Sequence, residues 1–253
     1  MKINGVEIFV KKIAGKGNID FVFIHNAGGT HQFFTYQIDK LKNYGNIILL
    51  DLPGHGKSEV VDLNKMSDLS EIIVKICNEL NLKHICFIGL NNGANIVIDI
   101  AANHVLPIKN LILIDPPIFM EDSFVGEINQ FIKQLEKPDY EKFVFNLVDA
   151  LFINTHSQQK QIAREAFLTV DRKLLQMMFK GLIEWDKNSK SLLKNINYPT
   201  LCILTDEHHC AYHKLKEEAP HFEVGKVIGS KCWAALEVPD QINSMIERFI
   251  ALN

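Results

Sequence analysis

Four short apolar runs punctuate the first half of the chain: Phe21–Ile24, Ile47–Leu50, Ile85–Ile88 and Leu111–Ile114. Each is too short for a helix, and its unbroken apolarity predicts a strand buried on both faces. Between the runs the spacing turns helical. Phe34, Ile38 and Leu41 share a face at steps of four and three, which predicts a helix over 33–41. Leu69, Ile72, Ile73, Ile76 and Leu80 predict another over 67–80, with Ser67 as the expected cap. Ala94, Val97, Ile98, Ala101 and Ala102 predict a third directly after Ile85–Ile88. Residues 3–13 alternate around Gly5 and read as an opening hairpin. Strands alternating with helices imply a mainly parallel sheet covered by helices on both faces.

The pattern breaks between 118 and 196. Only helical spacings occur there, together with half of the chain's sixteen phenylalanines (119, 124, 131, 143, 145, 152, 167 and 179), Met177, Met178 and Trp185. This predicts a helical cap, 118–196, inserted into a core formed by 1–117 and 197–253. Two readings of the aromatics stand: they form the cap's own core, or a few of them line the roof of an apolar pocket. The sheet resumes with Thr200–Leu204, a helix over 211–219 and a strand over Phe222–Ile228. Pro239 opens a closing helix through Ile242, Met245, Ile246, Phe249 and Ile250.

Composition narrows the function classes. With 253 residues, 47% hydrophobic and 23% charged, the chain suits one large α/β domain carrying an insertion. A net charge of −3 without a basic run of five or more argues against a dedicated nucleic-acid surface. No apolar run is long enough for a membrane span, and the N-terminal residues lack a signal-peptide core. Five irregularly spaced cysteines suit a reducing, cytoplasmic setting rather than a disulfide framework. No cofactor is expected. Gly54-His55-Gly56-Lys57-Ser58 ends like a phosphate loop, but Asp51 stands where its first glycine belongs, and Glu59 occupies the third position of a dinucleotide fingerprint. His208, His209, Cys210 and Cys232 have zinc-ligand chemistry. Adjacent residues rarely hold one ion, however, and no standard spacing is present, so no metal is expected.

The chain is organised around residues 85–98. A buried strand runs into Gly89-Leu90-Asn91-Asn92-Gly93 and then into a helix. Strand, sharp turn, helix is the setting of a nucleophile elbow, Gly-x-Ser-x-Gly. Other landmarks follow in order: His25-Asn26-Ala27-Gly28-Gly29, Asp51-Leu52-Pro53-Gly54-His55-Gly56-Lys57-Ser58, Pro199-Thr200-Leu201 and Gly229-Ser230-Lys231-Cys232-Trp233. On these motifs the sequence resembles the α/β-hydrolase superfamily over nearly its whole length. The resemblance implies an α/β-hydrolase fold, with a mainly parallel central sheet flanked by helices and an inserted helical cap.

Carried over residue by residue, the resemblance puts Asn91 at the serine position, Cys232 at the histidine position and His208 at the acid position. A slip in register would put Glu207 or Asp206 at the acid position, and Asp115 ends the strand where some members hold the acid. A carboxamide is not a nucleophile, yet asparagine tolerates the positive φ that an elbow needs. The amides of Ala27 and Asn92 would then form a retained anion hole, with His25, Asn26 and Trp233 lining the pocket. His31 and His55 read as loop or surface residues. Three functions follow as expectations: a small-molecule binder with its pocket under the cap, a hydrolase or transferase of ester-type substrates using Cys232 with His208, or a non-catalytic interaction protein. The sequence leaves the oligomeric state open.

Overall fold

The computed structural model describes residues 1–153 and 157–253, except the side chain of Ser157. The four apolar runs form adjacent strands of one seven-stranded sheet. These are β4 (Ile19–Ile24), β5 (Gly45–Leu50), β6 (Ile85–Leu90) and β7 (Ile108–Ile114), followed by β8 (Thr200–Leu204) and β9 (Glu223–Lys226). The strand order is β3-β5-β4-β6-β7-β8-β9, where β3 is Val10–Ile13. All neighbours are parallel except β3 and β5. Every residue of β4, β6 and β8 is buried, as unbroken apolar runs require. The opening hairpin is shorter than its alternation suggested. It comprises β1 (Lys2–Ile3) and β2 (Val6–Glu7), and β3 leaves it to pair with β5.

Helices α1 (Thr35–Leu41), α10 (Ala234–Glu237) and α11 (Pro239–Leu252) pack together, and α2 (Met66–Glu79) packs with α3 (Asn92–Asn103). Ser67 does not cap α2. Lys65 precedes the helix, and the Asp68 carboxylate accepts from the Asn64 and Lys65 amides at 2.9 and 3.2 Å. A carboxylate in the first turn meets the free N–H groups and positive end of the helix better than a hydroxyl would.

Between β7 and β8 run α4 (Asp122–Leu135), α5 (Tyr140–Ala150), α6 (Ser157–Leu168), α7 (Arg172–Asp186) and α8 (Ser189–Lys194). No strand lies among the described residues of this insertion; 154–156 fall outside them. The insertion is pinned at its root. Both oxygens of Asp186 accept backbone N–H groups, from Phe119 at 2.6 Å and Met120 at 2.9 Å. Chain order reverses between β4 and β6, so a crevice opens at their carboxyl ends. No helix is long and apolar enough to cross a membrane among the described residues.

Candidate functional site

Asn91 stands between β6 and α3 with φ 48° and ψ −118°. Its amide continues the sheet by donating to Ile114 O at 2.8 Å, while its carbonyl accepts from Ala94 N at 2.8 Å. The turn is therefore held from both sides in a conformation that most side chains avoid. Gly93 makes the approach possible, because a Cβ there would lie 2.2 Å from Ile24 O and 2.6 Å from His25 O.

The side chain of Asn91 folds back on the turn. Its Oδ1 accepts from the Asn92 amide at 3.0 Å, and its Nδ2 donates to Asp115 O at 3.3 Å. Of the Ala27 and Asn92 amides expected to form an anion hole, the Asn92 amide is therefore engaged within the turn. Its N–H is taken because the carboxamide side chain of Asn91 is long enough to reach the amide of the next residue.

Asp115 lies fully buried at the end of β7, with φ 49°. Thr205 Oγ1 donates to its Oδ1 at 3.0 Å, and its Oδ2 has no partner among the described residues. Burial pushes this carboxyl up to about 7, against a smaller opposing effect of the bond from Thr205.

The loop after β8 departs from the sequence expectation. His208 turns away, its Nδ1 donating to Cys210 O at 2.9 Å. His209 faces the site instead, with Nε2 3.9 Å from Cys232 Sγ and its ring stacked on Phe124 of α4 at 3.6 Å. The Cys232 partner is thus His209, not His208. Burial lowers the His209 pKa to about 4 and raises the Cys232 thiol far above its ordinary range, with Asp115 and Glu207 adding to the latter. Both groups are neutral at pH 7. Asp206 is not presented to the site either: it accepts from Gly229 N at 2.6 Å and sits 3.8 Å from Lys226. Glu207 reaches the site's rim and pairs with Lys231 at 3.0 Å.

A cavity of about 210 Å³ lies at these strand ends. Its floor and rim include Asn26, Ala27, Asn91, Asn92, Glu207, His209, Lys231, Cys232 and Trp233. The insertion supplies Phe124, Glu127, Ile128, Phe131, Leu147, Leu151, Phe167 and Phe179. The two readings of the insertion aromatics merge here. Phe131 packs on Phe143, Phe167 and Phe179, with centroids 5.9, 6.0 and 4.7 Å away, so the ring cluster is both the insertion's core and part of the cavity wall. The sequence missed Glu127, Ile128, Leu147 and Leu151. Their only signal was helical periodicity, which marks a face without saying what it meets.

Of the expected pocket residues, Asn26 and Trp233 line the cavity and His25 does not. His25 Nδ1 donates to Asn26 O at 2.8 Å, and its Nε2 accepts from Leu52 N at 2.9 Å. His55 works in the same way, donating to Pro53 O at 2.9 Å and accepting from Gly28 N at 3.2 Å. It is fully buried rather than a surface residue. Burial lowers their pKa values to about 4 and about 3. His31 binds Asp51, whose Oδ1 accepts the ring Nδ1 at 2.8 Å and the backbone amide at 2.7 Å. Burial alone would raise the Asp51 carboxyl; the bonds from His31 outweigh it and hold the group below its ordinary range.

Known proteins share this fold. A pimeloyl-[acyl-carrier protein] methyl ester esterase of Wigglesworthia glossinidia brevipalpis is 29% identical over 204 residues, spanning 77% of each chain. The esterase of Exiguobacterium antarcticum superposes with a TM-score of 0.85 at 16% identity, covering 99% of this chain and 97% of that one. A bromoperoxidase from Bacillus anthracis superposes at 0.81 with 15% identity, covering 97% and 96%. At these identities the superpositions speak for the fold, which hosts different chemistries. Residues 21–197 match the family model described as the alpha/beta hydrolase fold, and with this sheet order and the strand–Asn91–helix turn the chain belongs to the α/β-hydrolase fold family.

Proposed function

We propose that the chain binds a small, largely apolar molecule in the cavity beneath the helical insertion and does not run serine-type hydrolysis. The closure of Asn91 Oδ1 onto the Asn92 amide carries this reading. Hydrolysis of that type needs a hydroxyl at the elbow, an imidazole to take its proton, a carboxylate to orient the imidazole, and free amides facing the acyl oxygen. Here residue 91 offers a carboxamide, residue 232 offers a thiol, and the elbow amide is taken. The cavity itself is kept and walled with phenylalanines. A dry cavity of about 150 Å³ holds benzene. Scaling to about 210 Å³ gives a ligand of roughly eight or nine non-hydrogen atoms.

A thermal-shift screen of neutral compounds of this size tests the proposal. A ligand at a hundred times its Kd should stabilise the fold by about 2.7 kcal/mol, or roughly 5 °C for a chain of this length. Turnover of p-nitrophenyl acyl esters that is blocked by a fluorophosphonate bound at residue 91 would overturn it.

The contact between Cys232 and His209 favours a second reading, thiol-based acyl transfer. Burial works against it, since forming the thiolate–imidazolium pair must overcome both shifts. Ester turnover that disappears in Cys232→Ala would select this reading over the first.

A further inference from the structure

Asn91 holds ψ at −118°, and its Oδ1 accepts from the amide of the next residue at 3.0 Å. At this ψ the Asn92 nitrogen eclipses Asn91 Cβ about the Cα–C bond. Helical backbone, with ψ about −42°, and extended backbone, with ψ about +135°, both turn Cβ away from that nitrogen. Eclipsing is what a five-membered ring through the Asn92 nitrogen and the C, Cα, Cβ and Cγ atoms of Asn91 requires. The turn thus holds a carboxamide carbon and the nitrogen that can attack it close to the geometry of reaction. Hydrogen bonds on both sides keep it there: the Asn91 amide donates to Ile114 O and its carbonyl accepts from Ala94 N, both at 2.8 Å.

Two further features favour ring closure. Asn92 opens α3, a helix of 12 residues. The positive end of that helix stabilises the charge that the Asn92 nitrogen carries once it has lost its proton. Asn91 is also only half-buried and lines the cavity, so water reaches it. Sequence alone points elsewhere, to Asn4 and Asn92, each followed by a glycine that leaves the attacking nitrogen open. Asn92 is helical, however, and its Cβ is turned away from the Gly93 nitrogen.

We propose that Asn91 is a site of self-modification, its carboxamide converting to a carboxylate through a cyclic imide formed with Asn92. The Asn92 nitrogen bonds to Cγ, the Cγ–Nδ2 bond breaks, and Nδ2 leaves as ammonia with the proton that Asn92 gave up. Water then opens the imide at either carbonyl, its hydroxyl going to carbon and its hydrogen to nitrogen. Aspartate or isoaspartate remains at position 91, and nothing is oxidised or reduced. The product loses the donor that Nδ2 presents to Asp115 O at 3.3 Å, and it places a negative charge at the cavity wall. The turn passes from neutral to anionic with age, whatever the cavity binds.

Incubating the full chain at pH 8, folded and in guanidinium chloride, then mapping both by proteolysis and mass spectrometry tests the proposal. The peptide that holds residue 91 should gain the mass of NH2 replaced by OH roughly tenfold or more faster in the folded chain, because only the fold holds the reacting geometry. Fragment ions should assign the change to position 91, and isoaspartate or the imide should accompany aspartate. Asn91→Gln needs a larger ring and should stop the conversion. The wild-type comparison stands even if that variant fails to fold. Equal or faster conversion in guanidinium chloride, or an unchanged mass in the folded chain, would overturn the proposal. Conversion at Asn92 instead, or aspartate with neither isoaspartate nor imide, would overturn it too.

Discussion

Replacing Asp115 with asparagine should change how stability depends on pH. The carboxyl titrates near 7 in the folded chain because burial disfavours its charge, against 3.8 ordinarily. Between these values the folded state holds a proton that the unfolded state has lost. Stability therefore falls as pH rises through the window, by about 1.4 kcal/mol per unit. Integrated from about pH 5 to 8, the loss is about 3 kcal/mol, or roughly 5 °C in Tm for a chain of this length.

The wild-type profile alone would hide this effect. His25, His55 and His209 have lowered pKa values, so the unfolded state binds more protons below about 6.5 and stability falls toward acid. The two trends oppose each other. The quantity to measure is the difference between Asp115→Asn and wild type in urea unfolding at pH 5, 6, 7 and 8. The amide keeps an acceptor for Thr205 and cannot ionise, so the histidine contributions cancel. Asp115→Asn should gain about 3 kcal/mol on wild type across the series. A difference constant to within about 0.5 kcal/mol would mean that the carboxyl titrates normally, and the account of its burial would be wrong.

Gly93→Ala should destabilise by about 1–3 kcal/mol in urea, since its Cβ meets backbone oxygens that cannot swing aside. Wild-type stability in that variant would mean that helix α3 shifts freely from the sheet. Asp186→Ala should cost a similar amount, about 1–3 kcal/mol, by leaving the Phe119 and Met120 amides without their acceptor. An unchanged unfolding midpoint would show that water replaces the carboxylate. Cys232 in the native chain should react with iodoacetamide at pH 7.5 more slowly than in the urea-unfolded chain, because partial burial disfavours its thiolate. Equal rates, followed by mass spectrometry, would point to an accessible thiolate.

The sheet was legible because burial on both faces leaves a mark that needs no tertiary knowledge: Phe21–Ile24 and Ile85–Ile88 are strands for the reason they looked like strands. The elbow was legible because Gly89 and Gly93 serve the backbone, whatever side chain sits between them. Loops carry no period. In Glu207-His208-His209 nothing in the spacing says which imidazole turns inward, and the fold turns in His209 rather than His208. The closure of Asn91 onto Asn92 depends on a rotamer, which residue identity permits without dictating. The cap of α2 was misplaced for a related reason: Ser67 and Asp68 are both capping types, and the position of the first turn decides between them.

The imidazoles of His25 and His55 have a consequence for the lifetime of the loops that follow β4 and β5. Each accepts a backbone N–H at Nε2 and donates from Nδ1 to a carbonyl, so each works in a single neutral tautomer. Protonation at Nε2 would set two hydrogens against each other and release the Leu52 and Gly28 amides. Both amides should therefore exchange with solvent deuterium slowly at neutral pH, and lose that protection in acid well before the sheet does. The loops that follow β4 and β5 would come apart together, with the strands still in register.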